Sequence, residues 1–178
     1  MLSFSCNPSM ETLYYSQMQS PVGRLGIGVS EQGLLALEFD AGQFPPRKNN
    51  AVLWEQSEAK TRDYIRQLQE YFAATRREFT FSLDLRGTPF QLKCWRALLQ
   101  IPYGGTRTYA DIARAVGCPQ GYRAVGLANN RNPVAIVVPC HRVIASDGSL
   151  CGYGGGLEVK RKLLELEGAL TTKLAATA

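Results

Sequence analysis

Apolar and polar positions alternate at the start of the chain. Residues 13–19, 24–29 and 34–39 read as three strands, separated by the turns Ser20-Pro21-Val22-Gly23 and 30–33. Runs this short, joined by tight turns, favour an antiparallel meander. A Pro-rich polar stretch, 42–50, reads as a loop. The period then changes. Tyr64, Ile65, Leu68, Tyr71 and Phe72 fall on one face of a helix expected over 57–74. Phe79, Phe81, Leu83 and Leu85 return to strict alternation, which predicts a half-buried strand.

A boundary is expected at Arg86-Gly87. Thr88-Pro89-Phe90-Gln91 carries the signature of a helix start, with Thr as N-cap, Pro in the first turn and Gln three residues on. That helix should run to about Gln100, where Pro102 and Gly104-Gly105 stop it. Thr108-Tyr109-Ala110-Asp111 repeats the signal for a short helix ending at Gly117. After Cys118-Pro119-Gln120-Gly121 another helix is expected over 122–128. Two short helices about a Gly/Pro turn fit a helix-turn-helix, a pattern shared with helical hairpins that never meet DNA. The second helix is small and sparsely charged at Ala124, Gly126 and Ala128. That suits either close approach to a partner or close packing on its own core. Asn129–Pro133 should break it, and 134–138 is a β-branched run that predicts a buried strand leading to Pro139.

Charge sharpens this division. Residues 1–85 hold 8 Lys and Arg against 10 Asp and Glu, and residues 86–178 hold 12 against 5. The second half thus carries the basic footprint of a nucleic-acid binder, or simply a basic solvated face. The composition, 45% hydrophobic and 20% charged, is that of a globular protein, with no run apolar enough for a spanning helix and no secretory signal expected. Five irregularly spaced cysteines without a CxxC pair suggest reduced thiols and a cytoplasmic location, with Cys6 incidental. A single His argues against a four-ligand zinc site, so no metal and no cofactor are expected.

The candidate chemistry sits at Pro139-Cys140-His141-Arg142. A free thiol is only a few per cent thiolate at neutral pH, and an imidazole can take its proton. Adjacent residues of a strand point to opposite faces, so direct contact of Cys140 with His141 requires a bend or a water between them.

The surrounding block is specific. Arg123-Ala124-Val125-Gly126, Asn132-Pro133, the run from Ile136 through Pro139-Cys140-His141-Arg142-Val143-Ile144, Gly152-Tyr153-Gly154-Gly155-Gly156 and residues 160–168 closely resemble the O6-alkylguanine-DNA alkyltransferase family. Gly87-Thr88-Pro89-Phe90-Gln91, Trp95 and Ile101-Pro102-Tyr103-Gly104 match its bacterial members. The resemblance implies an α/β, RNase H-like N-terminal domain over 1–86. It implies a mostly helical, winged-helix-like C-terminal domain with a helix-turn-helix over 87–168, followed by a disordered tail at 169–178. It implies direct, irreversible transfer of the alkyl group of O6-alkylguanine, and of O4-alkylthymine, to Cys140 after base flipping.

It also implies roles. Cys140 is the acceptor, His141 takes its proton through a water, and Glu167 orients His141. Asn132 is the hinge between recognition helix and active-site segment. Tyr109 donates to the guanine and helps rotate the phosphate. Arg123 fills the vacated stack, and Ala124, Gly126 and Ala128 face the minor groove. Val143, Tyr153, Gly154 and Gly155 line the base pocket. The expected partner is double-stranded DNA carrying O6-alkylguanine, met by a monomer with no membrane and no obligate protein partner. Gly154 departs from relatives with a hydroxyl or larger side chain there. No regulatory metal-binding cysteine cluster precedes the domain, as expected of a stand-alone repair protein. Two rivals remain: a lesion-binding sensor, which lacks the acceptor cysteine, and a Cys-His hydrolase, which needs an oxyanion hole that nothing in the sequence indicates. An inert buried Cys140 is the structural alternative.

Overall fold

The structure, a computed structural model, describes residues 10–39, 44–45 and 52–170. Cys6, most of the 42–50 loop and residues 171–178 of the expected tail lie outside the described residues.

Strands β1 (Glu11–Ser20), β2 (Gly23–Ser30) and β3 (Gly33–Phe39) form the expected antiparallel meander. A further strand, β4 (Val52–Gln56), pairs in parallel with β1, so the sheet order is β3-β2-β1-β4. The middle strand β2 is buried on both faces. Leu25, Ile27 and Val29 enter the main core. Gly26 and Gly28, on the other face, leave room for rings: a Cβ on Gly26 would lie 2.3 Å from the Phe44 ring, and one on Gly28 2.9 Å from Trp54. Helix α1 (Glu58–Phe72) starts at Ser57, whose hydroxyl accepts from the Lys60 amide. It buries Leu68 and Tyr71 in that same core.

The alternating run 79–85 is not a ladder strand. It is extended but makes a single bridge, Leu34 to Leu83. The reason lies in the outer edge of β3, which two segments share. Leu34 bonds Ser82 and Asp84. Leu37, three residues on, donates to the Pro133 carbonyl (2.8 Å) and accepts from the Ala135 amide (2.9 Å). The edge is thereby divided, and each segment makes one isolated bridge to β3, at Leu34 and at Leu37.

In the second half α2 (Pro89–Leu98) and α3 (Tyr109–Ala115) both open with complete capping boxes, Thr88 with Gln91 and Thr108 with Asp111. Gly117, at φ 74°, ends α3 in the left-handed region that glycine enters without penalty. Helix α4 (Tyr122–Asn130) follows and completes a helix-turn-helix with α3. It runs two residues past its expected end. Strands β5 (Arg107–Thr108) and β6 (Val143–Ile144) pair in parallel, and α5 (Leu157–Leu166) closes the domain. No helix among the described residues is long and apolar enough to cross a membrane.

The apolar run 134–138 is buried, as its composition requires, yet it is turns and not a strand. Ile136 takes φ 70°, an outlier for a β-branched residue, and the Val137 amide bonds back to Ala135 (2.8 Å). The Asn132 side chain substitutes for strand partners: its Oδ1 accepts from the Val134 amide (3.0 Å) and its Nδ2 donates to the Val138 carbonyl (2.8 Å).

Candidate active site

This turn delivers Cys140 into a 3-10 turn, Cys140–Arg142, rather than to a strand end. The bend that a Cys140–His141 partnership requires is therefore present. Asn132 Nδ2 lies 3.2 Å from Cys140 Sγ, so one carboxamide at the end of α4 ties the helix to the thiol. Cys140 is 7% exposed and lies where two cavities meet. One, of about 540 Å³, is lined by Tyr109, Gly126, Cys151, Tyr153 and Gly154 among others. The second, of about 350 Å³, reaches Asn132, Gly155 and Phe39 of β3.

Behind the thiol, His141 is fully buried. Its Nε2 lies 2.9 Å from Glu167 Oε1. Glu167 caps the C-terminus of α5 and is 5% exposed, far from the solvated carboxylate a helix-end position suggests. Arg142 grips it twice, Nε to Oε2 at 2.8 Å and Nη2 to Oε1 at 2.9 Å, and donates its remaining arm to the Ile101 carbonyl (2.6 Å). Tyr71 adds a hydroxyl donor to Oε1 at 2.7 Å.

Burial opposes charge on Glu167, but the hydrogen bonds from His141 and Arg142 outweigh it and hold the carboxyl down at about 2. An ionised carboxylate only accepts, so His141 Nε2 carries the ring proton. The other nitrogen, Nδ1, is then a lone-pair acceptor, and it is buried without a protein partner. Burial pushes the His141 pKa below its ordinary range against the pull of Glu167. Burial likewise pushes the Cys140 thiol up, partly offset by the Asn132 amide. The resting pair is a thiol beside a neutral imidazole. Burial and then Cys151 raise the Tyr109 pKa, so its hydroxyl remains a donor.

These shifts carry a stability signature. His141 and Glu167 have folded pKa values below their unfolded ones, so the unfolded chain binds more protons at these two groups on acidification. Their contribution to stability should be level above the ordinary histidine value of 6.5, begin to fall below it, and fall again from 4.5 towards about 2 as Glu167 protonates. Thermal melts across pH 2.5–8 check this. A flat profile below pH 4.5 would contradict the buried, ion-paired Glu167.

Most of the expected site residues gather here: Cys140, His141, Glu167, Asn132, Tyr109, Tyr153, Gly154 and Gly155. Two do not. Val143 is fully buried and lines neither cavity; its carbonyl instead accepts from the buried Lys160 ammonium (2.6 Å), which also bonds the Cys151 carbonyl (2.8 Å). Ala128 is 2% exposed, and its carbonyl accepts from the Trp95 indole, so the core-packing alternative holds at that position. The exposed face of α4 comprises Tyr122, Arg123, Ala124, Leu127 and Asn130. A Cβ on Gly126 would stand 3.8 Å from the Tyr109 ring, an ordinary contact, so the protein's own packing does not demand glycine there. Sequence reasoning gave no role to Tyr71, Arg142, Lys160 or Phe39. Arg142 stood inside the motif; nothing in the pattern distinguishes the other three from ordinary core or surface residues.

Two family models match the chain: the 6-O-methylguanine DNA methyltransferase ribonuclease-like domain over residues 13–85, and the DNA binding domain of the same family over 89–169. The chain belongs to the 6-O-methylguanine DNA methyltransferase family. A methylated-DNA--protein-cysteine methyltransferase of Methanosarcina barkeri is 47% identical over 155 residues, which is 87% of this chain and 97% of that one. The crystal structure of the Mycobacterium tuberculosis O6-methylguanine methyltransferase superposes with a TM-score of 0.80 at 45% identity, over 88% of this chain and 93% of that one. A crystal structure of Mycobacterium tuberculosis OGT in complex with DNA matches at 0.77 and 44% identity, over the same shares. Within this methyltransferase family the ribonuclease-like half is the sheet with α1, and the DNA-binding half carries the helix-turn-helix and Cys140. The fold class expected from the sequence is the one found.

Proposed function

We propose that this methyltransferase repairs DNA by moving the alkyl group of O6-alkylguanine, and of O4-alkylthymine, onto Cys140, once per molecule. The observation that carries the reading is the thiol at the junction of both cavities, held by Asn132 and backed by a His–Glu pair whose tautomer leaves Nδ1 ready to accept.

The alkylated base must leave the duplex to reach a thiol this recessed, at a cost of a few kcal/mol. The exposed face of α4 meets the minor groove, with Ala124 and Gly126 permitting close approach and Arg123, exposed and lying over the Tyr122 ring at 5.9 Å, filling the stack. In the pocket His141 Nδ1 takes the Cys140 proton through a water. The sulfur forms its bond to the alkyl carbon as the carbon–oxygen bond to guanine breaks in line. The electron pair of that bond goes to the base, and Tyr109 donates to it as charge develops. The thiol proton ends on the restored guanine, and the products are guanine and a thioether. Water does not cleave a thioether under mild conditions, so Cys140 is consumed. The chain acts as a monomer, in the cytoplasm, where its free thiols stay reduced.

With excess duplex carrying one O6-methylguanine, guanine should be restored to a plateau of one per protein. Continued turnover would indicate a hydrolase. Binding with the adduct retained would indicate a lesion sensor.

The pocket wall at Gly154 is open, with nothing within 4 Å of where a Cβ would stand. Transfer from O6-benzylguanine in DNA should therefore be at least as fast as from O6-methylguanine. Single-turnover rates on matched duplexes check this, and a strong bias against benzyl would contradict it.

A further inference from the structure

Glu167 Oε1 accepts three hydrogen bonds: from His141, from Arg142 and from Tyr71. The third donor comes from the other half of the chain. Tyr71 sits in the last turn of α1, in the segment matched by the ribonuclease-like domain, and is fully buried. Its hydroxyl is committed to Glu167, and burial and the neighbouring carboxylate keep it protonated. Its ring packs edge-on to Tyr103 at 6.1 Å, and the Tyr103 hydroxyl donates to the Leu166 carbonyl, one residue before Glu167.

We infer that Tyr71 is a positioning residue of the transfer reaction, through which the N-terminal domain sets the basicity of His141. This rests on the proposed role of His141 as proton acceptor. A carboxylate oxygen divides its negative potential among its donors. Each donor other than His141 weakens the stabilisation Glu167 gives to an imidazolium. With Tyr71 and Arg142 in place, burial prevails and the ring rests neutral, the form that can accept a proton. The other charged or titratable groups around the ring are Arg142 and Cys140 on its own turn, Lys160 on α5, and Tyr153 before it. The two cations oppose an imidazolium as well. Tyr71 is the donor to Oε1 that can be removed without changing charge and with almost no change of shape.

The chain's single histidine makes the test direct. The ring resonances of His141 are followed by NMR through a pH titration, in tag-free protein, for the parent, Tyr71→Phe and Tyr103→Phe. Tyr71→Phe should raise the His141 midpoint by about half a unit to one unit, the scale of a partly shared charge-assisted hydrogen bond. Tyr103→Phe, which removes a hydroxyl bonded to backbone only, should leave it in place. The acid limb of the single-turnover rate should move up in step in Tyr71→Phe, with the plateau at high pH retained. An unchanged His141 midpoint in folded Tyr71→Phe, with only lower thermal stability, would overturn the inference. A shifted midpoint in a protein that transfers nothing would uphold the control of His141 by Tyr71 and overturn its role in transfer together with the proposed function.

Discussion

Cys140→Ser should lower alkyl removal from O6-methylguanine on the order of 10⁴-fold or more, the scale on which nucleophile loss is felt in enzymes whose groups act as a unit. Affinity for the same duplex should stay within about threefold. The two effects separate because the structure separates their sources. The side chain is 7% exposed and offers little surface to DNA, whereas Tyr122, Arg123 and Leu127 project from α4. A serine oxygen keeps the shape of the site, but its proton is far harder to remove by a neutral imidazole whose own pKa is depressed. Cys151 lines the same cavity and is the obvious substitute. It lacks the Asn132 amide and the His141 partner, so it should not rescue the variant. Binding measured by fluorescence anisotropy and adduct loss measured by chromatography check the pair of expectations together. Loss of binding equal to the loss of transfer would mean that Cys140 supports the interface rather than the chemistry.

Glu167→Ala should be the most damaging substitution for stability outside the apolar core. It strands Arg142, His141 and the Tyr71 hydroxyl together in a buried site. Removing one partner of a buried pair costs about 3–5 kcal/mol, because the remaining charge stays unpaired. For a chain of this size that corresponds to a fall in Tm of roughly 6–20 °C. Transfer should fall as well, since His141 loses the acceptor that fixes its tautomer. The fall in stability below pH 4.5 should be shallower in the variant, because Glu167 no longer contributes, while carboxylates held down elsewhere, such as Asp84 beside Arg86, still do. A Tm within about 2 °C of the parent would show that the pair is worth no more than a surface contact.

Local signals in the sequence were reliable where they are enforced locally. The Thr88/Gln91 and Thr108/Asp111 capping boxes close on their own backbone, so the starts of α2 and α3 were legible from four residues each. The meander was legible because its turns are two residues long and its register follows from them. Where a segment's partner is distant, periodicity misled. Residues 79–85 alternate correctly for a strand, but β3 has only one edge to offer and shares it with 133–135. Residues 134–138 have strand composition, but Asn132 supplies the hydrogen bonds a neighbouring strand would have supplied. No pattern within five residues encodes that.

The site was legible in its motif and opaque in its support. Pro139-Cys140-His141-Arg142 with its flanks pointed to the thiol, and Asn132 and Glu167 came from the resemblance. That Glu167 is buried, and that it is shared among His141, Arg142 and Tyr71, depends on α1 packing beside the end of α5, a contact 96 residues apart in the chain. Phe39 of β3 is similar: its ring meets Tyr153 edge-on at 5.7 Å, and a Cβ on Gly155 would press to 2.7 Å from it. The ribonuclease-like half therefore touches both the buried His141–Glu167 pair, through Tyr71, and the cavity wall at Tyr153, through Phe39.

If Cys140 keeps the alkyl group, a single peptide carries it. Cleavage after Arg131 and Arg142 isolates residues 132–142, which contain Cys140 and no other cysteine, while Cys151 falls in the next peptide, 143–160. After incubation with a duplex holding O6-methylguanine, the mass of peptide 132–142 should rise by one methyl in place of the thiol hydrogen, in a one-to-one ratio with the guanine restored. An unmodified 132–142 peptide alongside restored guanine, or the methyl found on 143–160, would contradict the account.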